Sequence, residues 1–159
     1  MNRTNRTVRR YLERRTALDD WPLQGAVPTT CRSIIVIPVL AESPGILDTL
    51  GDLAKCYGEH RAQTLVIAVV NNRAPEHAVE QDIAQNEQTL RALDGWDQDS
   101  LPVAWIDASS PGRELSVKDG VGMARKIGLD QGLRILAEQD RLTAPLVSLD
   151  GDSRVDARY

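Results

Sequence analysis

The chain has 159 residues, a formal charge of −4, 42% hydrophobic and 26% charged residues, and 4% aromatics with no Phe. This is the composition of one globular domain with an aliphatic core, and its acidic balance gives no reason to expect a nucleic-acid partner. No apolar run is long enough to span a bilayer, no signal peptide is evident, and Cys31 and Cys56 stand in no metal-binding spacing, so a cytoplasmic protein with reduced thiols is expected.

The first fifteen residues, MNRTNRTVRRYLERR, are rich in arginine; an arm for anionic lipid or an acidic partner is one reading, and a solvated helical lead-in is the one preferred. "DDWPLQGAVPTT" follows, punctuated by Pro and Gly, and reads as a linker or wrapping loop. "SIIVIPV" (33–39) is a short β-branched run of the kind that forms a strand buried on both faces. Next, Ser43 is placed to cap a helix with Pro44 at its first position. Ile46, Leu47, Leu50, Leu53, Ala54 and Tyr57 recur there at helical spacing, and Gly58 stops the run. "TLVIAVV" (64–70) is a second buried strand, broken at "NNRAPEH", where Pro75 is placed to open a helix carrying Val79, Ile83, Leu90 and Leu93 on one face. "PVAWID" (102–107) reads as a third strand, "VGMARKIGLDQGLRILAEQ" as a long helix despite its glycines, and "PLVSLD" as a fourth strand.

Strands alternating with helices at this spacing predict parallel βαβ units in a doubly wound, mostly parallel α/β sheet of Rossmann-like type. Segments 34–39, 65–70 and 146–150 are expected as neighbouring central strands. Ligands of such sheets sit beyond the carboxyl ends of the strands. That rule puts "LAES", "NNR", "DASSPG" and "DGD" along one rim. A dinucleotide site needs G-x-G-x-x-G after the first strand, and "PVLAESPG" lacks it; no GxxxxGK[ST] loop occurs either.

The aspartates of Asp150-Gly151-Asp152 then carry the reading. Alternating positions on extended backbone point the same way, so the two carboxylates could converge, and Gly151 lets a ligand approach the chain. Mn²⁺ or Mg²⁺ would relieve their repulsion and hold a diphosphate in its open coordination positions. A plain strand-end turn is the alternative for a D-x-D taken alone.

The ordered set of motifs resembles the nucleotide-sugar-binding half of family 2 glycosyltransferases, which have the GT-A fold. "SIIVIPVLAESPGILDTLGDLA" is similar to that family's opening strand, acidic loop and helix. "LVIAVVNNR" is similar to its second strand, and "VGMARKIGLDQGL" to the Ala-Arg-rich helix before the D-x-D strand. The resemblance runs from about Ser33 to Asp156. It implies that Pro38 and the loop through Glu42 flank the base and ribose of a nucleotide-diphosphate sugar. Asn71 would stand where the family often has a base-contacting acid, and Arg125 near the base or diphosphate. Asp150 and Asp152 would hold the metal, Mn²⁺ or Mg²⁺, with Asp150 also facing the donor. Arg113 and Lys118 read as surface cations.

On this reading residues 1–30 are a basic lead-in and linker, and residues 31–159 a nucleotide-sugar-binding GT-A-like domain. The family's acceptor half, with its general base, would follow, so the chain alone is expected to lack transfer activity and its acceptor is unknown. A non-catalytic nucleotide- or sugar-binding module on the same scaffold is the alternative. A nucleotidyltransferase is the third reading, and "PVLAESPG" lacks the Gly-rich basic loop it would need.

Overall fold

A computed structural model describes residues 3–16, 18–116 and 118–156. The chain runs α1 (Arg3–Arg15), β1 (Leu23–Gly25), β2 (Ser33–Val39), α2 (Gly45–Tyr57), β3 (Thr64–Asn71), α3 (Glu80–Asp94), β4 (Val103–Ala108), α4 (Val121–Glu138) and β5 (Leu146–Ser148). The strands form one sheet in the order β1-β4-β3-β2-β5. β4, β3, β2 and β5 are parallel, and β1 is added antiparallel to the outer edge of β4.

The β-branched runs explain the centre of the sheet. Every residue of β3 and all of β2 after Ser33 are buried, which leaves no solvent face and requires cover on both sides. Side-chain alternation then divides the core in two. Ile34, Val36, Leu65, Ile67 and Val69 pack against Ile127 and Leu136 of α4. Ile35, Ile37, Val39, Val66 and Val70 pack against Ile46, Leu50 and Leu53 of α2 and Leu93 of α3. The result is an α/β protein whose mostly parallel sheet carries helices on both faces, an arrangement compatible with a Rossmann-like fold.

The glycines within α4 have a packing reason. A Cβ on Gly128 would overlap Val36 and stand 2.9 Å from Val69 Cγ2, and one on Gly132 would stand 2.7 Å from Leu146 Cδ1. Their absence lets α4 lie close on the sheet despite low intrinsic helix propensity. α1 packs outside α4: Tyr11 donates to Asp130 at 2.8 Å, while Lys126 pairs with the same carboxylate and donates to Arg15 O at 3.0 Å. No helix among the described residues is long and apolar enough to cross a membrane.

Four local expectations are corrected. The linker contains a strand, because the outer edge of β4 offers free backbone groups to Leu23–Gly25, and Trp21 Nε1 ties the segment to Arg113 O at 2.8 Å. β5 is a three-residue edge strand and not a central one running to Asp150. Its shortness follows from Pro38. Ile34 N donates to Pro145 O and Leu149 N donates to Val36 O, so alternate residues of β2 face β5. Pro38 is next in that series and has no N–H to give. α2 begins at Gly45 with Pro44 at its N-cap and no capping bond from Ser43; Glu42 O accepts from Ile46 N at 3.0 Å instead. Pro75 opens a 3-10 turn, Pro75–His77, and α3 starts only at Glu80.

Candidate functional site at the carboxyl ends of β2 and β5

β2 and β5 are adjacent in the sheet, yet the chain leaves β2 for α2 on one face and reaches β5 from α4 on the other. Such a reversal leaves a crevice beyond the carboxyl ends of the two strands, where ligands of open α/β sheets bind. Pro38 ends the ladder with β5 at its edge. Buried within β2, Pro38 has the role of a backbone device and not of a contact surface.

Three carboxylates and one guanidinium gather at this crevice. Glu42 leaves β2 on a short loop, and its Oε2 is buried without a hydrogen-bond partner. Gly151 presses on it so closely that a Cβ there would overlap the carboxylate, standing 2.8 Å from Glu42 Cδ. Burial pushes the Glu42 carboxyl up to about 7, with the charges of Asp152 and then Asp150 adding to the rise. Arg125, on the first turns of α4, donates through Nη2 to Asp150 Oδ1 at 2.7 Å and through Nε to Ser148 Oγ at 2.9 Å. Asp150 is nonetheless 67% exposed, and Asp152 is also exposed.

The Asp150–Asp152 turn is held from α2. Thr49, buried on the inner stripe of that helix, has its hydroxyl 2.8 Å from Gly151 O and 3.0 Å from Ser153 O. Arg154 reaches back to Asp48 Oδ2 at 3.2 Å and Asp52 Oδ2 at 3.1 Å. Thr49 was not foreseen, although a threonine between Ile46 and Leu50 on an apolar stripe is a readable irregularity.

Further along the rim, Asn71 ends β3 and is 3% exposed, and its Oδ1 also lacks a partner. It does not join the carboxylate cluster. It is connected to the loop after β2 by Asn86, which donates to Asn71 O at 3.0 Å and to Asn72 Oδ1 while accepting from Ala41 N at 2.9 Å. That last bond fixes Ala41 at φ 55°, a left-handed conformation unfavourable for a residue with a side chain, directly before Glu42. Asn86 occupies a core-facing position between Ile83 and Leu90 of α3, which is the signal that could have found it. Asp107 accepts from Ser109 N at 3.0 Å and Ser110 N at 2.9 Å and pairs with Arg113 at 3.5 Å. Burial works to raise its carboxyl, and the bonds from Ser110 and Ser109 outweigh that and hold it below the usual range. Arg113, expected as a plain surface cation, therefore has a structural partner.

Among the described residues, no three His, Cys, Asp or Glu side chains are placed to enclose a metal ion. Asp150 and Asp152 offer two exposed carboxylates, carried on a turn beyond β5 and not on the extended backbone expected, and Asp150 is already paired with Arg125. Two exposed carboxylates would be enough for a Mg²⁺-like ion, which binds through one or two carboxylates and completes its shell with waters and substrate phosphates. A groove of about 510 Å³ runs between α1 and α4 and contains none of the rim residues. The site described here is an open crevice. The chain matches no protein-family model, no curated protein and no solved structure at a significant level.

Proposed function

We propose that this chain binds a nucleotide-diphosphate sugar in the crevice between β2 and β5. On this reading it is the donor-binding part of a family 2-like glycosyltransferase of GT-A fold, acting in the cytoplasm on an acceptor hydroxyl. The observation that carries the reading is the meeting of Glu42, Asp150, Asp152 and Arg125 at the reversal point of the sheet, with Gly151 leaving no side chain between Glu42 and the turn.

In the proposal Asp150 and Asp152 hold Mn²⁺ or Mg²⁺, which when bound neutralises the diphosphate as it becomes the leaving group. Arg125, now engaged with Asp150, is within reach of the same anionic group and adds a fixed positive charge. Glu42, with a carboxyl near neutrality, can accept a ribose hydroxyl or carry a proton without adding a full negative charge to the crevice. Asn71 would read a base edge by turning its now buried, unpartnered Oδ1 out to the rim. Being neutral, it adapts to either a uracil or a guanine edge. Pro38 ends the ladder with β5 at the edge of the crevice, and no residue is assigned as general base.

Calorimetric titration of UDP and GDP with and without Mn²⁺ tests this. Binding should require the cation, and the two nucleotides should differ by less than about tenfold, or roughly 1.4 kcal/mol. Metal-independent binding, or no binding of either nucleotide, would overturn the proposal.

A further inference from the structure

The donor site leaves the N-terminal helix unexplained. The first fifteen residues carry six arginines against one glutamate in a chain of net charge −4, so the remainder is strongly acidic. α1 packs on α4 through Tyr11, whose hydroxyl donates to Asp130, and through the carbonyl of Arg15, which accepts from Lys126. Its opposite face bears Arg6, Arg10 and Arg14, all exposed and at i, i+4, i+8. These three form one row about 12 Å long at 1.5 Å per residue, winding about 80° around the helix.

The row is electrostatically unusual. Arg9, one position along, is paired with Glu13 at 3.0 Å. No carboxylate pairs with Arg6, Arg10 or Arg14 among the described residues. Like charges at i,i+4 destabilise a helix, so the row opposes its own element unless an anion lies over it.

We propose that the outer face of α1 docks on an anionic phospholipid surface. Three observations favour that partner. The face is one helix wide and its row spans less than a quarter turn, so a planar surface can meet all three guanidinium groups through their long side chains. Its one aromatic side chain, Tyr11, is half-buried beside Arg10 and Arg14, with its hydroxyl held by Asp130 and its ring under Lys126, so it is not free to stack on the bases of single-stranded nucleic acid. The body of the protein is acidic, so a polyanion that wraps it is repelled, whereas a plane touching only α1 is not.

The contact is electrostatic and reversible, because the exposed face has no apolar residue to insert. Arginines near an anionic bilayer contribute about fivefold each to binding, and the attraction decays within a Debye length of about 10 Å at 0.1 M salt. α1 runs antiparallel to α4, from Asn5 beside Asp140 to Arg15 beside Lys126, so docking would lay the domain on its side with α4 above the membrane.

The test is co-sedimentation of the full chain with vesicles of phosphatidylcholine alone or with 30% phosphatidylserine, at low and at 0.5 M salt. Binding is expected only to the anionic vesicles at low salt. The triple substitution Arg6→Gln, Arg10→Gln, Arg14→Gln should reduce it by about a hundredfold. The triple Arg→Lys variant should retain it, which separates loss of charge from loss of fold. Arg9→Gln should change it less than fivefold. The proposal is overturned if the wild type ignores anionic vesicles, if the triple Gln variant binds normally, or if Arg9→Gln alone matches the triple loss. Tighter binding to an oligonucleotide than to the vesicles, in a parallel anisotropy titration, overturns it as well.

Discussion

Glu42→Gln isolates the electrostatics of the crevice. In the folded chain the Glu42 carboxyl stands at about 7, against an ordinary value of 4.5, through burial first and then the charges of Asp152 and Asp150. The folded state therefore holds a proton that the unfolded state has released between those two values, and stability falls as pH rises through that window. The full interval is worth about 3.4 kcal/mol at 1.36 kcal/mol per unit. Glu42 is only half-buried and faces an open crevice, so solvent screening reduces this to about 1–2 kcal/mol. A neutral glutamine of the same shape has nothing to ionise. Urea unfolding of both proteins at pH 4.5, 6 and 8 should give equal stability at the lowest pH and a variant more stable by about 1–2 kcal/mol at the highest. Parallel pH profiles, or a variant less stable at pH 8, would refute the placement of Glu42 against the Asp150–Asp152 turn.

Three further outcomes are expected. Gly128→Ala should destabilise by about 1–3 kcal/mol in a thermal melt, since its Cβ would overlap Val36 and crowd Val69; an unchanged midpoint contradicts the close seating of α4. Thr49→Val keeps the shape of the side chain but removes the donor to Gly151 O and Ser153 O, and should cost about 1–3 kcal/mol, with Thr49→Ser recovering most of it in urea titration. Asn86→Leu removes the bonds to Asn71 O, Asn72 Oδ1 and Ala41 N and should cost about 2 kcal/mol or more; a loss below about 0.5 kcal/mol would show that Ala41 holds its conformation unaided.

The centre of the fold was readable because it rests on local pattern. Ile34 to Val39 and Leu65 to Val70 are too uniformly apolar to be anything but doubly covered strands, whereas 102–107 carried a weaker signal and is observed as Val103–Ala108. β1 was not readable: three residues carry no periodicity, and their pairing depends on the free edge of β4 and on Gly25, at φ 87°, fitting against Trp105. The extent of β5 was misjudged although its cause was in view, because the effect of Pro38 depends on which neighbour its missing N–H would have faced.

The same division holds at the site. Asp150 and Asp152 stand out as a motif, and Arg125 falls beside Asp150. The closeness of Glu42 to Gly151 is a consequence of strand order alone, which places residues more than a hundred positions apart on either side of one crevice. Thr49 and Asn86 were hidden in another way. Each is a polar residue on an apolar helical stripe, where sequence shows an irregularity but not the backbone it serves.

The most direct test of the donor-site account is a two-by-two calorimetric cycle: UDP binding with and without Mn²⁺, to the wild type and to Asp152→Asn, with circular dichroism confirming that both are folded. A carboxylate that shares the cation with the diphosphate couples to it. The account therefore expects Mn²⁺ to strengthen UDP binding to the wild type at least tenfold, about 1.4 kcal/mol, and to leave the variant nearly unaffected. Equal affinity in all four conditions, or the same gain from Mn²⁺ in both proteins, would contradict it.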